Sequence, residues 1–88
     1  MNAKKLQLIE GAAIVCGIGE DRLLQFISYS WLLPAAEDPP QLDEEDRARA
    51  RLIFELQEHL GVNDAAVPII LHLVDQLHRV HREVRFPR

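Results

Sequence analysis

The sequence predicts an all-α fold of four helices, and three observations carry that expectation. Residues 63–85 set Ile70, Leu73, Leu77, Val80 and Val84 at alternating steps of three and four, which is the a/d seam of an α-helix. Residues 43–60 open on an acidic cap and continue with apolar residues at helical spacing. Residues 10–30 hold two short helical segments on either side of Gly17-Ile18-Gly19, which reads as a helix-turn-helix. The 88 residues suffice for one small domain. Its expected parts are a helix-turn-helix-like portion over 1–42 and a pair of longer helices over 43–88.

The elements follow in order. Residues 6–9 alternate weakly and predict a short strand or an extended arm. The first helix spans 10–16. The second spans about 20–30, with Glu20 and Asp21 in the first turn where the helix dipole favours negative charge. Leu23, Leu24, Phe26 and Ile27 supply its core face. Trp31-Leu32-Leu33-Pro34 is a short apolar run, and Pro34, Pro39 and Pro40 hold the next segment extended. Leu32-Leu33 pairing with Gln41-Leu42 would make a small hairpin in the place of a wing.

Asp43 caps the third helix, and Asp46, three residues on, stands at the capping-box position. Its expected buried face is Ala48, Leu52, Leu56 and Leu60, with Ile53. Glu45 and Arg49 are spaced for an exposed pair worth roughly 0.2–0.5 kcal/mol. Gly61 ends this helix, and Asn63 caps the next. Val62 and Val67 stand at hydrophobic-staple positions, and Asp64 suits the positive end of the dipole. Pro68 falls slightly late for a first-turn proline and predicts a lost hydrogen bond or a small bend. Arg79, Arg82 and Arg85 suit the C-terminal end, and Pro87 stops the helix.

A second stripe on the last helix, Val67, Leu71 and Val74, gives way to His78 and His81. The first turns are therefore expected to be buried and the end to project with one apolar edge. That edge, Ile70, Leu73, Leu77, Val80 and Val84, is read as a self-association surface forming a homodimer, or else as packing against the third helix.

Composition narrows the function classes. No window is long enough to span a bilayer. Lys4 and Lys5 are followed by no long apolar run with a cleavage site, so no signal peptide is expected. Cys16 is the single cysteine, which fits a reducing cytosol, and its apolar neighbours predict a buried, inert thiol. Nine acidic residues against Arg22 alone lie between Glu10 and Asp46. That balance disfavours a phosphate backbone and favours a basic protein partner, or else is a solvated surface with cap charges.

No phosphate-binding glycine loop, nucleophile elbow or metalloprotease motif is present, so neither catalysis nor a cofactor is expected. His78 and His81 have the spacing of half a metal site. Nothing in the sequence clearly completes it within one chain, and no metal is expected. Polar helix surface is the plain alternative, and a pH-sensitive interface a further one.

The stretch 17–34 resembles the winged helix-turn-helix of MerR-type regulators. In that pattern basic and aromatic residues of the second helix grip DNA phosphates. Here the second helix offers Gln25, Phe26 and Ile27 behind an acidic first turn, with Arg22 the sole cation. A recognition helix needs more cationic and base-reading side chains than that. The scaffold reads as kept and the DNA contacts as lost, with a MerR-like DNA-binding transcriptional regulator as the alternative.

A resemblance covering nearly the whole chain is to the CbpM family of chaperone modulators. It is carried by Gly17-Ile18 with Glu20-Asp21 and Leu23, by Leu32-Leu33 and Pro34, and by Leu42-Asp43-Glu44. Leu60-Gly61-Val62-Asn63, then Val67, Ile70, Leu71, Leu73-Val74-Asp75 and Leu77, continue it. The resemblance implies a degenerate MerR-like fold in a cytoplasmic, non-enzymatic inhibitor or adaptor. Its implied partner is the J-domain of a DnaJ-like co-chaperone of the CbpA type, whose action on DnaK it blocks. J-domains of that kind present a basic helix, and acidic groups complement it. The candidate contacts are Glu44, Glu45, Asp46 and Asp75. The first three are alternatively helix caps, and Asp75 is alternatively paired with Arg79 within its own helix.

Overall fold

A computed structural model describes residues 5–84, with side chains through Glu83. Lys4, Arg85, Pro87 and the side chain of Val84 lie outside the described residues. The described chain is mostly helical, with a small antiparallel sheet. Its order is β1 (Gln7–Leu8), α1 (Ile9–Cys16), α2 (Glu20–Ser28), β2 (Ala36–Glu37), β3 (Pro40–Leu42), α3 (Glu44–Glu58) and α4 (Val67–Val84). The fold is thus not purely all-α: the short strand expected within 6–9 and the hairpin strand at 40–42 join one sheet, of order β1-β3-β2.

Local chemistry accounts for the ends of these elements. Gly17 ends α1 with φ 71°, a left-handed conformation that costs a side-chain-bearing residue more. Its N–H and that of Ile18 both donate to the Ala13 carbonyl. Asp43 and Asp46 form the expected capping box on α3. Gly61, with φ 68°, turns the chain out of α3. Asn63 Oδ1 accepts the Ala66 N–H at 3.0 Å, capping the turn that leads into α4. Regular helix begins at Val67, so Pro68 sits in the first turn, where its missing N–H is no loss.

The core gathers Ile9, Ala12 and Cys16 of α1, Leu23 and Phe26 of α2, Ala50 and Ile53 of α3, and Val67 and Leu71 of α4. Ile18, Trp31, Leu32 and Leu42 complete it from the connecting segments. Trp31 stacks at 5.8 Å from Phe26 and 4.8 Å from Tyr29, ring centre to ring centre.

Three packing expectations are corrected. On α2, Leu24 is exposed, and Leu23 and Phe26 are the buried residues. On α3 the fully buried residues are Ala50 and Ile53, whereas Leu52 and Leu56 are half-buried and Ala48 and Leu60 exposed. The reason is the cap. Asp43 is itself buried, and the seam runs from it through 46, 50 and 53 at steps of three, four and three. The hairpin also differs: β2 pairs Ala36 with Gln41 and Glu37 with Pro40, while β1 pairs Gln7 with Leu42. Leu32 is fully buried, so it is committed to the core. Leu33, next to it, is exposed.

Beyond Leu71, α4 leaves the core. The radius of gyration of 14.0 Å exceeds the roughly 12 Å of a compact chain this long, as a projecting helix requires.

Candidate protein-binding groove

Helices α3 and α4 flank a groove of about 550 Å³ on the side of Ser30 and Trp31. Trp31, Leu33, Ala48, Leu52 and Val74 form its apolar lining. Glu45, Asp46 and Arg49 line it from α3, and Asp75, His78 and Arg82 from α4. Helical spacing accounts for both sets. Residues 45, 48, 49 and 52 share one side of α3, and residues 74, 75, 78 and 82 one side of α4. The groove thus brings together Glu45, Asp46 and Asp75. Glu44 lies outside its lining, exposed on the first turn of α3.

The four acids differ in what they already hold. Asp46 is turned inward: its Oδ2 accepts the Asp43 N–H at 3.0 Å and the Ala35 N–H at 3.1 Å. Its own N–H donates to Asp43 Oδ1 at 2.8 Å. It therefore ties the β2–β3 hairpin segment to the start of α3. Burial raises its carboxyl pKa above the ordinary range, against the lowering effect of the Asp43 amide hydrogen bond. Glu45 is exposed and makes no hydrogen bond or ion pair among the described residues.

Asp75 is not paired with Arg79, and Arg49 is not paired with Glu45. They bind each other instead. Arg49 Nη1 donates to Asp75 Oδ1 at 2.8 Å and Nη2 to Oδ2 at 3.3 Å. Arg49 Nε donates to the Trp31 carbonyl oxygen at 2.9 Å. One arginine thus joins α3, α4 and the segment after α2. The hydrogen-bonded Arg49 guanidinium holds the Asp75 carboxyl below its ordinary pKa, with Arg49's charge, His78 and His72 acting in the same direction. Sequence spacing does not reveal Arg49 as a groove residue, since its partner is 26 positions away.

The helix-turn-helix portion has its own arrangement. Arg22 folds back onto α3, its Nη1 donating to Glu58 Oε2 at 2.9 Å and its Nη2 to Gln57 Oε1 at 3.0 Å. Its guanidinium lies 5.4 Å from the Phe26 ring centre and 5.3 Å from that of Phe54. The exposed residues of α2 are Glu20, Asp21, Leu24, Gln25 and Ser28. None of them is a cation.

On α4, Leu73, Leu77 and Val80 are each more than half exposed. Ile70 is half-buried, and Ile69 joins the exposed stripe in its stead, four residues before Leu73. The side chain of Val84 lies outside the described residues. His78 and His81 are exposed. Among the described residues no group of three or more His, Cys, Asp or Glu is arranged to hold a metal ion. No helix among them is long and apolar enough to cross a membrane. No known family model matches this chain, and no curated protein matches it.

Proposed function

We propose that this chain is a non-enzymatic modulator of the CbpM type, which binds the J-domain of a DnaJ-like co-chaperone and blocks its action on DnaK. The observation that carries the reading is the groove between α3 and α4, where Glu45 and Asp75 stand on opposite walls around an apolar floor. A basic amphipathic helix is the ligand that such a groove complements, with apolar side chains below and cations toward the acids. Glu44 extends the negative rim at the start of α3, and Asp46 supports it by holding the helix cap.

In this reading α1, the Gly17 turn and α2 are a degenerate MerR-like helix-turn-helix, with the β2–β3 hairpin as a reduced wing. The packing of Arg22 against Glu58 and the acidic exposed face of α2 argue against the DNA-binding alternative, because few cations remain for phosphates. The exposed α4 edge supports homodimer formation in a cytoplasmic protein.

Calorimetric titration with the isolated J-domain tests the proposal. Binding is expected for the parent protein, and the combined Glu44→Lys, Glu45→Lys variant is expected to lose most of it. Equal affinity for parent and variant, or binding of duplex DNA at low salt without binding of the J-domain, would refute it.

A further inference from the structure

We infer that the Arg49–Asp75 pair is a strap across a longer groove, and that a cation on an amphipathic partner helix takes Arg49's place on Asp75 when it docks. This rests on the proposed role of the groove as a protein-binding surface. A second depression, of about 180 Å³, lies against the first and contains Pro68, Leu71 and His72. The two share Ser30, Trp31, Arg49 and Asp75, so the ion pair is part of the divider between them.

With the strap open, the two depressions run together along α4 from Pro68 to Arg82. Fourteen helical steps make that about 21 Å, or about four turns of a docked helix. The protein's own geometry shows what Asp75 accepts: a guanidinium held by both carboxylate oxygens. Glu45, on the opposite wall, holds no partner among the described residues and receives a second cation directly.

Exchange at Asp75 is feasible because the pair meets solvent. The Arg49 and Asp75 side chains are 32% and 51% exposed, and exposed pairs couple weakly. The released arginine is not set free. Its Nε keeps the Trp31 carbonyl while both Nη atoms let go. Arg49 is then an internal competitor that lowers affinity for any helix lacking a well-placed cation, which is a specificity device.

The test measures affinity for two ligands, the isolated J-domain and a synthetic leucine–arginine amphipathic helix. The panel is the parent protein, Arg49→Met, Asp75→Asn and the double variant. Arg49→Met is expected to bind about two- to fivefold tighter and Asp75→Asn about two- to fivefold weaker. The double variant is expected to match Asp75→Asn. Should Arg49→Met not fold, Arg49→Lys carries the test with a smaller gain, since lysine cannot chelate both oxygens.

If the J-domain does not bind but the synthetic helix shows this order, the strap stands and the J-domain assignment falls. If the J-domain binds and Arg49→Met weakens it as much as Asp75→Asn does, the strap is overturned and the assignment survives. If neither ligand binds, both fall. If the variants change the mass in light scattering and not the affinity, a second copy of the chain occupies the groove and the strap is likewise overturned.

Discussion

Replacing Asp46 with alanine should destabilise the fold far more than removing either of its acidic neighbours. The Asp46 carboxylate accepts two backbone N–H groups, that of Asp43 at 3.0 Å and that of Ala35 at 3.1 Å. A net hydrogen bond is worth about 0.5–1.5 kcal/mol, and more when its acceptor is charged. The Ala35 bond is solvent-exposed and lies at the low end, whereas the Asp43 bond is half-buried and belongs to the capping box. The expected loss is about 2 kcal/mol for Asp46→Ala. For a domain of this length that lowers the melting temperature by about 8–16 °C. Asp46→Asn retains one acceptor oxygen of the same shape and should lose less than half as much. Glu44→Gln and Glu45→Gln touch no such bond and should stay within about 0.5 kcal/mol. Circular dichroism melts of the four variants provide the measurement. An Asp46→Ala protein melting within about 2 °C of the parent would refute the claim that this carboxylate holds the cap and the hairpin.

Three further outcomes are expected. The Arg49 guanidinium lowers the Asp75 pKa, so that pair's contribution is present above the ordinary carboxylate pKa and lost as pH falls through the depressed one. The melting-temperature gap between parent and Asp75→Asn should therefore be constant near neutrality and close below about pH 4; a gap that widens in acid contradicts the assignment. Cys16 is buried and its thiol pKa is raised by that burial, against the lowering effect of Arg47 and Arg51. It should react with a disulfide reagent much more slowly than a free thiol, and a rate equal to that of unfolded protein would show that the site opens readily. The Leu77→Glu, Val80→Glu double variant should keep its helix content, because both side chains are exposed. Its mass by light scattering should fall to that of one chain; an unchanged mass means that this edge is no interface.

Local chemistry made much of the fold legible. Asp43 and Asp46 announce the start of α3 because a capping box is satisfied within four residues. The Gly17 turn and the apolar edge of α4 were readable for the same reason, since each depends on neighbours along the chain. Asn63, by contrast, was expected to cap α4 itself; it caps the turn before it, and α4 starts only at Val67. The hairpin register was not readable, because Leu32 and Ala36 both lie near enough to pair and burial of Leu32 in the core decides between them. The candidate groove was half legible: acidic charge and the family resemblance pointed to Glu45, Asp46 and Asp75, together with Glu44, which lies outside the lining, but not to the cation among them.

By itself, the sequence determined the capped start of α3, the glycine that ends α1 and which stripe of α4 stays apolar. Those features follow from hydrogen bonds and periodicities spanning a few residues. Only the tertiary structure decided that Arg49 chooses Asp75, 26 positions away, over Glu45, one turn back on its own helix. It also decided that α3 buries Ala50 and Ile53, because a helix face is selected by the surface it meets.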